Sequence, residues 1–344
     1  MNSLDFRSRQ AGLTMIEIMI AMVLGAFLLG GVLQIFSSSK QTYRVQESMS
    51  RLQENGRFAM DFITKDIRNA DFWGCLKNGL NNITNNLDPG GTGYDAYAHG
   101  FAQGIDGSNN TGLNASDTII LRGAFDTGIT VQPPYGPQES SNILISTNNG
   151  LAQGDVVLVS DCTQADIFQI SNANPDTGGV AVHNTGSATQ PGNFNATNPG
   201  CAGANAHCLS KVYEGDASIY TSIYRVGTIT YSIQNGASGQ PALFRQIDSN
   251  AATELVEGIE NLQILYGEDT NADGTPDYYV SAGTAGLDMD QVVSIRITLL
   301  ARTIADNLAG QSVSYTYNGA TTTPGDRRLR RVFTSTIAVR NRLL

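Results

Sequence analysis

A short acidic stretch, DTNADGTPDYYV, holds oxygen-bearing side chains at the spacing of a calcium-binding loop. Asp269, Asn271, Asp273 and Asp277 stand at positions 1, 3, 5 and 9 of such a loop, and Gly274 stands at position 6, where the chain must turn. Carboxylate and amide oxygens are ligands that Ca²⁺ prefers. The stretch is therefore a candidate calcium site.

Position 12 of the same stretch departs from the pattern. An EF-hand requires a bidentate glutamate there, whereas this chain has Val280, and the flanking residues resemble strands rather than helices. The carbonyl of Thr275 would be a further oxygen ligand. The alternative is a polar turn between two strands, where Asn and Asp serve the turn geometry. Ca²⁺ is the cofactor that this stretch suggests, and none is required.

The chain has four cysteines, Cys75, Cys162, Cys201 and Cys208. An even number behind an N-terminal membrane segment indicates an oxidising compartment and two disulfides, for which three pairings exist. We favour Cys75 with Cys162, which would tie the end of a helix to a strand, and Cys201 with Cys208, around AGANAH. The alternative is a zinc site that adds His207 to the last pair, but there is no CxxC motif and a fourth ligand is missing.

One carboxylate, Glu17, lies in a long apolar run near the N-terminus. Near the start of a helix it would face the positive end of the helix dipole. Among packed apolar helices, an unpaired ionisable group costs about 2.5–3.5 kcal/mol, so Glu17 needs a cationic partner. The small pair Ala11-Gly12 precedes the apolar run, whereas the cleavage site of a secretory signal would follow it.

Enzyme motifs are missing from the sequence. It has no GxSxG, HExxH or P-loop, and its histidines, His99, His183 and His207, lie far apart in loop-like sequence. We therefore predict that the protein is not an enzyme.

The apolar run at residues 13–36 is long enough to cross a membrane. Its 24 residues would form about 36 Å of helix, against a hydrocarbon core of about 30 Å. Arg7 and Arg9 precede it and Lys40 is the next basic residue, so the positive-inside rule puts the N-terminus in the cytoplasm. The residues after Lys40 would then form an ectodomain outside the cytoplasm.

Helical periodicity continues beyond the membrane segment. Residues 37–72 have an apolar stripe interleaved with charged residues, which predicts an amphipathic helix continuous with the span. Gly56 interrupts the stripe, and we expect a bend or a close backbone contact there. The stripe consists of Val45, Met49, Leu52, Ala59, Ile63, Ile67 and Ala70.

Strands dominate the C-terminal part of the predicted fold. In QVVSIRITLLART and in VFTSTIAV, apolar and polar residues alternate as in an antiparallel sheet with one wet face. Residues 218–233 and 255–266, together with DTIILR and DVVLVSD, are further strand candidates. Residues 78–116 and 172–205 are rich in Gly, Asn, Thr and Pro, and we interpret them as surface loops. A long helix followed by strands indicates the α+β class.

The charge balance argues against nucleic acid as the main ligand, because the net charge is -10. The C-terminal segment from Asp326 to Leu344 is basic, with six arginines and one acid. These arginines either form the solvated face of a last strand or offer an acidic partner a docking edge.

The order of basic leader, Gly12, LTMIE and apolar run resembles the class III signal of type IV prepilins. In that family a membrane peptidase cuts after the glycine and methylates the new N-terminus. The resemblance implies that Leu13 becomes the first residue and that Glu17 is the family's glutamate. The α-amino group of Leu13, from the same chain or a neighbour, would then be the partner of Glu17.

Two further regions resemble minor pilins of the PilW family. They are RLQENGRFAMDFITKDIRNADFWGC and the C-terminal blocks LVEGIENLQILYGEDTNADG, VVSIRITLLART and RRVFTSTIAVRNRL. The resemblance implies a pilin-like fold and a role in type IV pilus assembly, in a tip or priming complex. Implied partners are other minor pilins, the major pilin, the prepilin peptidase and a tip adhesin, and assembly would carry the ectodomain into the extracellular pilus.

The predicted organisation has five parts. They are a leader (1–12), a membrane helix (13–36), an amphipathic helix (37–72), a loop-rich β region that is a candidate insertion (73–216) and a C-terminal sheet region (217–344). Two alternatives remain open. One is a minor pseudopilin of a type II secretion system, and the other is a membrane-anchored periplasmic binding protein or enzyme.

Overall fold

The computed structural model describes Gly12 and residues 14–76, 82–125, 128–185, 189–194, 207–214 and 221–343. In this part of the chain, a long N-terminal helix precedes sheets whose strand pairs are antiparallel in all but one case. The predicted α+β class, with an antiparallel ectodomain behind the helix, is confirmed.

The helix α1, Met15–Asn69, is continuous. Among the described residues, its first hydrogen bonds to another part of the chain come from Gln41, whose side-chain amide donates to the carbonyl of Leu308 at 2.9 Å. Before this point the helix is exposed and buries no apolar side chain. After it, the predicted stripe packs on the ectodomain through Leu52, Gly56, Ala59, Ile63 and Ile67.

Gly56 lies against an aromatic ring. A Cβ atom built on Gly56 would come within 2.2 Å of Cε2 of Phe333, so only glycine allows the ring to rest on the helix backbone. The expected close approach at Gly56 is present, and its cause is a side chain from the last strand. Continuous hydrogen bonding through the helix shows that no break occurs there.

The described part of the ectodomain contains two short α-helices and seventeen strands. The helices are α2 (Ala96–His99) and α3 (Pro175–Gly178). The strands of the first half are β1 (Ile83–Asn85), β2 (Ile105–Ser108), β3 (Thr118–Ala124), β4 (Ile129–Thr130), β5 (Ile143–Leu144), β6 (Val156–Ser160), β7 (Ala165–Gln169) and β8 (Val180–Ala181). Those of the second half are β9 (Ser222–Asn235), β10 (Pro241–Ile247), β11 (Thr253–Glu257), β12 (Ile259–Glu268), β13 (Tyr278–Val280), β14 (Val292–Arg302), β15 (Tyr315–Tyr317), β16 (Ala320–Thr322) and β17 (Arg330–Ala338).

The larger sheet is built around β9. Its main path runs β1-β7-β6-β9-β10-β11, and β3 and β4 also pair with β9 while β2 extends from β3. At 14 residues β9 is long enough to hold β6 and β4 at one end and β3 and β10 at the other. The candidate insertion therefore shares a sheet with the C-terminal region and is not a separate layer.

The second sheet has the order β13-β12-β14-β17. Its central strand β14 pairs in register with both neighbours, as at Ile297, which lies opposite Ile264 and Ser335. The predicted alternation along β14 is present, because Ile295, Ile297 and Leu299 are fully buried while Arg296 and Thr298 are half-buried.

The main core lies between α1 and both sheets. The buried stripe of the helix meets apolar side chains of β9 and β10 from the larger sheet and of β12, β14 and β17 from the smaller one. A second cluster around Phe168 and Ile223 and a third around Trp73 and Leu158 fill the first half of the ectodomain.

The interpretation of residues 78–116 and 172–205 as surface loops is wrong for some of the residues described there, while others are exposed. Leu87, Phe101 and Ile105 in the first segment, and Ala181 and His183 in the second, are buried. The strands there have only two to four residues, which is too short for an alternating pattern to be recognised in a sequence rich in glycine and asparagine. These segments pack on the larger sheet although glycine and asparagine dominate their sequence.

Candidate functional site

The start of α1 is closed by Thr14 and Glu17. The backbone N–H of Glu17 donates to Oγ1 of Thr14 at 3.3 Å, and the backbone N–H of Thr14 donates to Oε2 of Glu17 at 2.9 Å. This reciprocal pair is a capping box, which satisfies two N–H groups that a helix leaves open. The sequence analysis missed Thr14, although the spacing T-x-x-E signals this cap.

Glu17 therefore has a partner within its own chain. The hydroxyl of Thr14 also donates to Oε2 at 3.0 Å, whereas Oε1 accepts no hydrogen bond from a described residue. Gly12 is described and exposed, and Leu13 lies outside the described residues. The pairing of Glu17 with the α-amino group of Leu13 thus stays a prediction.

The apolar part of α1 is an uncovered surface. From Met15 to Phe36, apolar side chains point outward all round the helix, with Met15 81% and Phe27 77% exposed. The helix is long and apolar enough to cross a membrane. Such a surface needs a bilayer or other apolar helices around it, because soluble monomers rarely expose a patch of this size.

The disulfide between Cys75 and Cys162 is present, as predicted. It joins the segment after α1 to the turn between β6 and β7, with the two Cα atoms 4.7 Å apart. Cys208 is also disulfide-bonded, and Cys201 lies outside the described residues, so their predicted pairing is not tested. A disulfide-bonded Cys208 offers no thiolate, which rules out the zinc alternative that needed it.

The acidic loop is held by its own carboxylates. Asp269 accepts hydrogen bonds from the backbone N–H groups of Asn271, Asp273 and Gly274, the last at 2.7 Å. These bonds bring the predicted side chains round one turn between β12 and β13. The polar-turn alternative accounts for this geometry.

Two further carboxylates close the loop. Asp277 accepts from the backbone N–H of Thr270 at 2.8 Å, and Asp273 accepts from the backbone N–H of Thr275 at 2.8 Å. Among the described residues, no group of three or more His, Cys, Asp or Glu side chains is placed to hold a metal ion. Calcium binding stays a prediction, and titration calorimetry of the purified ectodomain tests it, since no binding at millimolar Ca²⁺ would end the idea.

Two histidines that are distant in sequence meet in the interior. Nδ1 of His183 lies 3.0 Å from Nδ1 of His207, and both side chains are buried. Nε2 of His183 lies 3.0 Å from the carbonyl oxygen of Ser141, which can only accept, so this nitrogen carries the hydrogen. Nδ1 of the neutral His183 ring is then an acceptor, and Nδ1 of His207 donates to it.

This assignment leaves Nε2 of His207 as a buried acceptor that has no partner among the described residues. Burial lowers the pKa of His183, and burial together with the neighbouring His183 ring lowers the pKa of His207 to about 3. Among the described residues, Asp166 is the charged group that acts on the pair, and it does so through His183. No sequence pattern linked these residues, because their contact depends on the packing of loops.

Most of the basic C-terminal segment is paired within the chain. Arg330 binds Glu260 and Asp326, and its side chain is only 4% exposed. Arg342 binds Asp71 beyond the end of α1, with both side chains under a tenth exposed. Because Arg330 and Arg342 lie in buried ion pairs, the six arginines form neither a solvated strand face nor a docking edge made by all of them. Arg327, Arg331 and Arg340 are exposed.

Two family models match the chain. Residues 230–341 match the family described as Type IV Pilus-assembly protein W, and residues 7–33 match the Prokaryotic N-terminal methylation motif. The first match extends from β9 to β17, and the second includes Gly12 and Glu17. Neither the comparison with curated proteins nor that with solved structures found a match. The predicted resemblance is confirmed for the leader region and for the C-terminal blocks. The block at residues 51–75, whose resemblance to the PilW family stays a prediction, lies with the rest of residues 34–229 outside both matches.

Proposed function

We propose that this chain, a type IV pilus-associated pilin with a C-terminal region of the PilW family, acts as a minor pilin in a tip or priming complex for pilus assembly. Both matched families concern pilus components rather than enzymes. The proposed work of the protein is to occupy a defined place among other pilins.

The observation that carries the proposal is the division of α1. Its second half packs on the ectodomain, whereas its first half is fully exposed, apolar and headed by the matched methylation motif. At about 25 cal/mol per Å² of apolar surface, exposure of this half to water would be strongly unfavourable. A bilayer before assembly and neighbouring pilin helices afterwards would supply the cover.

Processing would act at the start of this half. A prepilin peptidase would cut after Gly12 and methylate Leu13, which would place a new α-amino group four residues before Glu17, the carboxylate of the capping box. Oε2 of Glu17 already accepts from Thr14, so Oε1 is the oxygen available to an α-amino group. A bond from a neighbouring chain would set the axial register between two helices.

The proposed location follows from the same features. The leader would stay in the cytoplasm, the apolar half of α1 would cross the inner membrane, and the ectodomain would lie in the periplasm until assembly. The disulfide between Cys75 and Cys162 supports an oxidising compartment. Proposed partners are other minor pilins, the major pilin and a tip adhesin.

Mass spectrometry of the native protein from sheared pili tests the proposal. We expect an N-terminal peptide that begins with N-methyl Leu13, in small amounts relative to the major pilin. Recovery of an intact Met1 from the membrane fraction, with no chain in the pili, would contradict it.

Substitution of Glu17 tests the assembly role separately from processing. We expect Glu17→Ala to be cleaved normally but to appear at less than one tenth of the wild-type amount in sheared pili. Glu47→Ala is the matched control, because Glu47 is an exposed helix carboxylate that pairs only with Arg51. Equal incorporation of both variants would remove the proposed role of Glu17.

A further inference from the structure

The last strand of the smaller sheet has an open edge. The sheet ends at β17, which pairs only with β14 among the described strands. The backbone N–H of Val339 donates to the carbonyl of Val293, so odd-numbered residues of this strand face β14. Because backbone groups alternate along a strand, those of Val332, Thr334 and Thr336 point to the free side.

This edge is long, and the charged residues that could protect it, Arg330 and Arg331, stand only at its first two positions. The strand has nine residues without proline or glycine, and it is regular along its whole pairing with β14. The other edge strands described, such as β13 and β11, have three and five residues. Native proteins normally shorten, bend or cover an edge that could template a foreign strand. An edge with seven consecutive uncharged residues, Val332 to Ala338, therefore points to a partner strand.

A groove runs beside the open edge. It has a volume of about 600 Å³ and lies between β17 and the second half of α1. Phe58 of the helix lines it and is 48% exposed, and the ring of Phe333 forms the other apolar wall. A strand added to β17 would lay alternate side chains into this groove.

Charges of both signs line the same groove. Arg57 and Arg331 stand with Glu54 and Asp61, and none of the four forms an ion pair with a described residue. These charges can pair with charged side chains of a partner, while the apolar walls can receive its apolar side chains. An extended segment in which charged and apolar residues alternate meets both needs. The groove and the edge thus specify the same kind of occupant, an extended chain.

We propose that β17 receives an extended segment of another pilin subunit as a fifth strand of the smaller sheet. That the partner is a pilin follows from the proposed function, and in this respect the proposal rests on it. Main-chain hydrogen bonds to Val332, Thr334 and Thr336 would provide affinity, and apolar side chains against Phe58 would provide specificity.

A second copy of this chain is a poorer occupant. Two β17 edges in antiparallel pairing would be related by a two-fold axis perpendicular to the sheet. That axis would reverse the direction of α1, which lies on the sheet face through contacts such as Gly56 with Phe333. The two apolar halves would then point in opposite directions and could not occupy one membrane.

Site-specific photo-cross-linking of the full chain in its native host tests the contact. A photoreactive amino acid at Thr334 should yield a cross-link to another pilin, identified from its peptides by mass spectrometry. Thr316 is the control, because it is an exposed strand residue of the separate β15–β16 hairpin. Equal cross-linking from Thr316, a cross-link to a second copy of this chain, or none from Thr334 would overturn the proposal.

Matched substitutions test the groove. Phe58→Glu should reduce incorporation into sheared pili at least tenfold, whereas Phe194→Glu should not, although both rings are 48% exposed. If Phe58→Glu fails to fold, Thr334→Pro replaces it, since its N–H does not face β14 and edge strands tolerate proline. Normal incorporation of the folded variants would overturn the proposal. Absence of the wild-type chain from pili would instead defeat the proposed function.

Discussion

His207 illustrates what burial does to a single titratable group. Its ring donates to His183, its Nε2 has no described partner, and the positive form would lie in the interior without a carboxylate on either ring. Burial therefore keeps the pair neutral in the folded state. The unfolded chain has no such constraint and would protonate both rings near pH 6.5.

This difference predicts acid sensitivity of the ectodomain. Because the folded pKa of His207 is lowered to about 3, the stability present above pH 6.5 is lost progressively as the pH falls toward 3. At about 1.4 kcal/mol per pH unit, His207 alone should lower the free energy of unfolding by roughly 2 kcal/mol between pH 7 and pH 5. Urea unfolding at both pH values measures it.

His207→Asn provides the control for this prediction. The asparagine amide can still donate to Nδ1 of His183 but cannot titrate. Between pH 7 and pH 5, we expect the free energy of unfolding of the variant to fall by roughly 2 kcal/mol less than that of the wild type. An unchanged pH dependence would show that other groups cause the acid sensitivity.

Arg342 gives a second prediction for a single residue. It donates to Asp71 and to the carbonyls of Met289 and Val292, so it links the chain end to the segment after α1. Arg342→Met would leave the buried carboxylate without its cation, at a cost of about 3–5 kcal/mol. Arg340→Met, on an exposed side chain, should change the free energy of unfolding by about 0.5 kcal/mol or less.

At the scale of elements, α1 and the C-terminal strands could be predicted because their patterns are long. Helical periodicity identified Leu52, Ile63 and Ile67 as the buried stripe, and strict alternation identified the faces of β14 and β17. Strands of two to five residues, such as β5 and β7, have too few positions for a period to show, and β6 could be predicted only because it is a continuous apolar run. Contacts between loops, including His183 with His207, leave no local signal at all.

The contact between α1 and β17 gives a prediction at this scale. Gly56→Ala should raise helix propensity by about 1 kcal/mol but force Cβ against the ring of Phe333, an overpacking that costs about 1–3 kcal/mol. We expect net destabilisation in urea unfolding. Combining the change with Phe333→Leu should recover part of the loss, and additive effects of the two substitutions would contradict direct contact.

At the scale of the whole molecule, the pairing of β9 determines whether the ectodomain folds as one unit or two. Its first half pairs with strands from residues 82–185, and its second half lies within the PilW match. The PilW match begins inside β9, so it leaves out β3, β4 and β6, which are hydrogen-bonded to this strand. The sequence did not reveal this, because the pairing joins strands that are more than sixty residues apart.

Shared pairing along β9 predicts that the ectodomain unfolds in a single cooperative transition. Phe168→Ala in the first half and Leu243→Ala in the second remove fully buried side chains and should each cost about 2–5 kcal/mol. In a cooperative unit, both substitutions shift the same transition in calorimetry and in urea, with equal shifts for fluorescence and circular dichroism. Two separate transitions, each moved by only one substitution, would show that residues 73–216 form an independent module. A single transition would mean instead that this region folds as one unit with the C-terminal strands, so that the larger sheet it completes and the smaller sheet with its β17 edge depend on the same core.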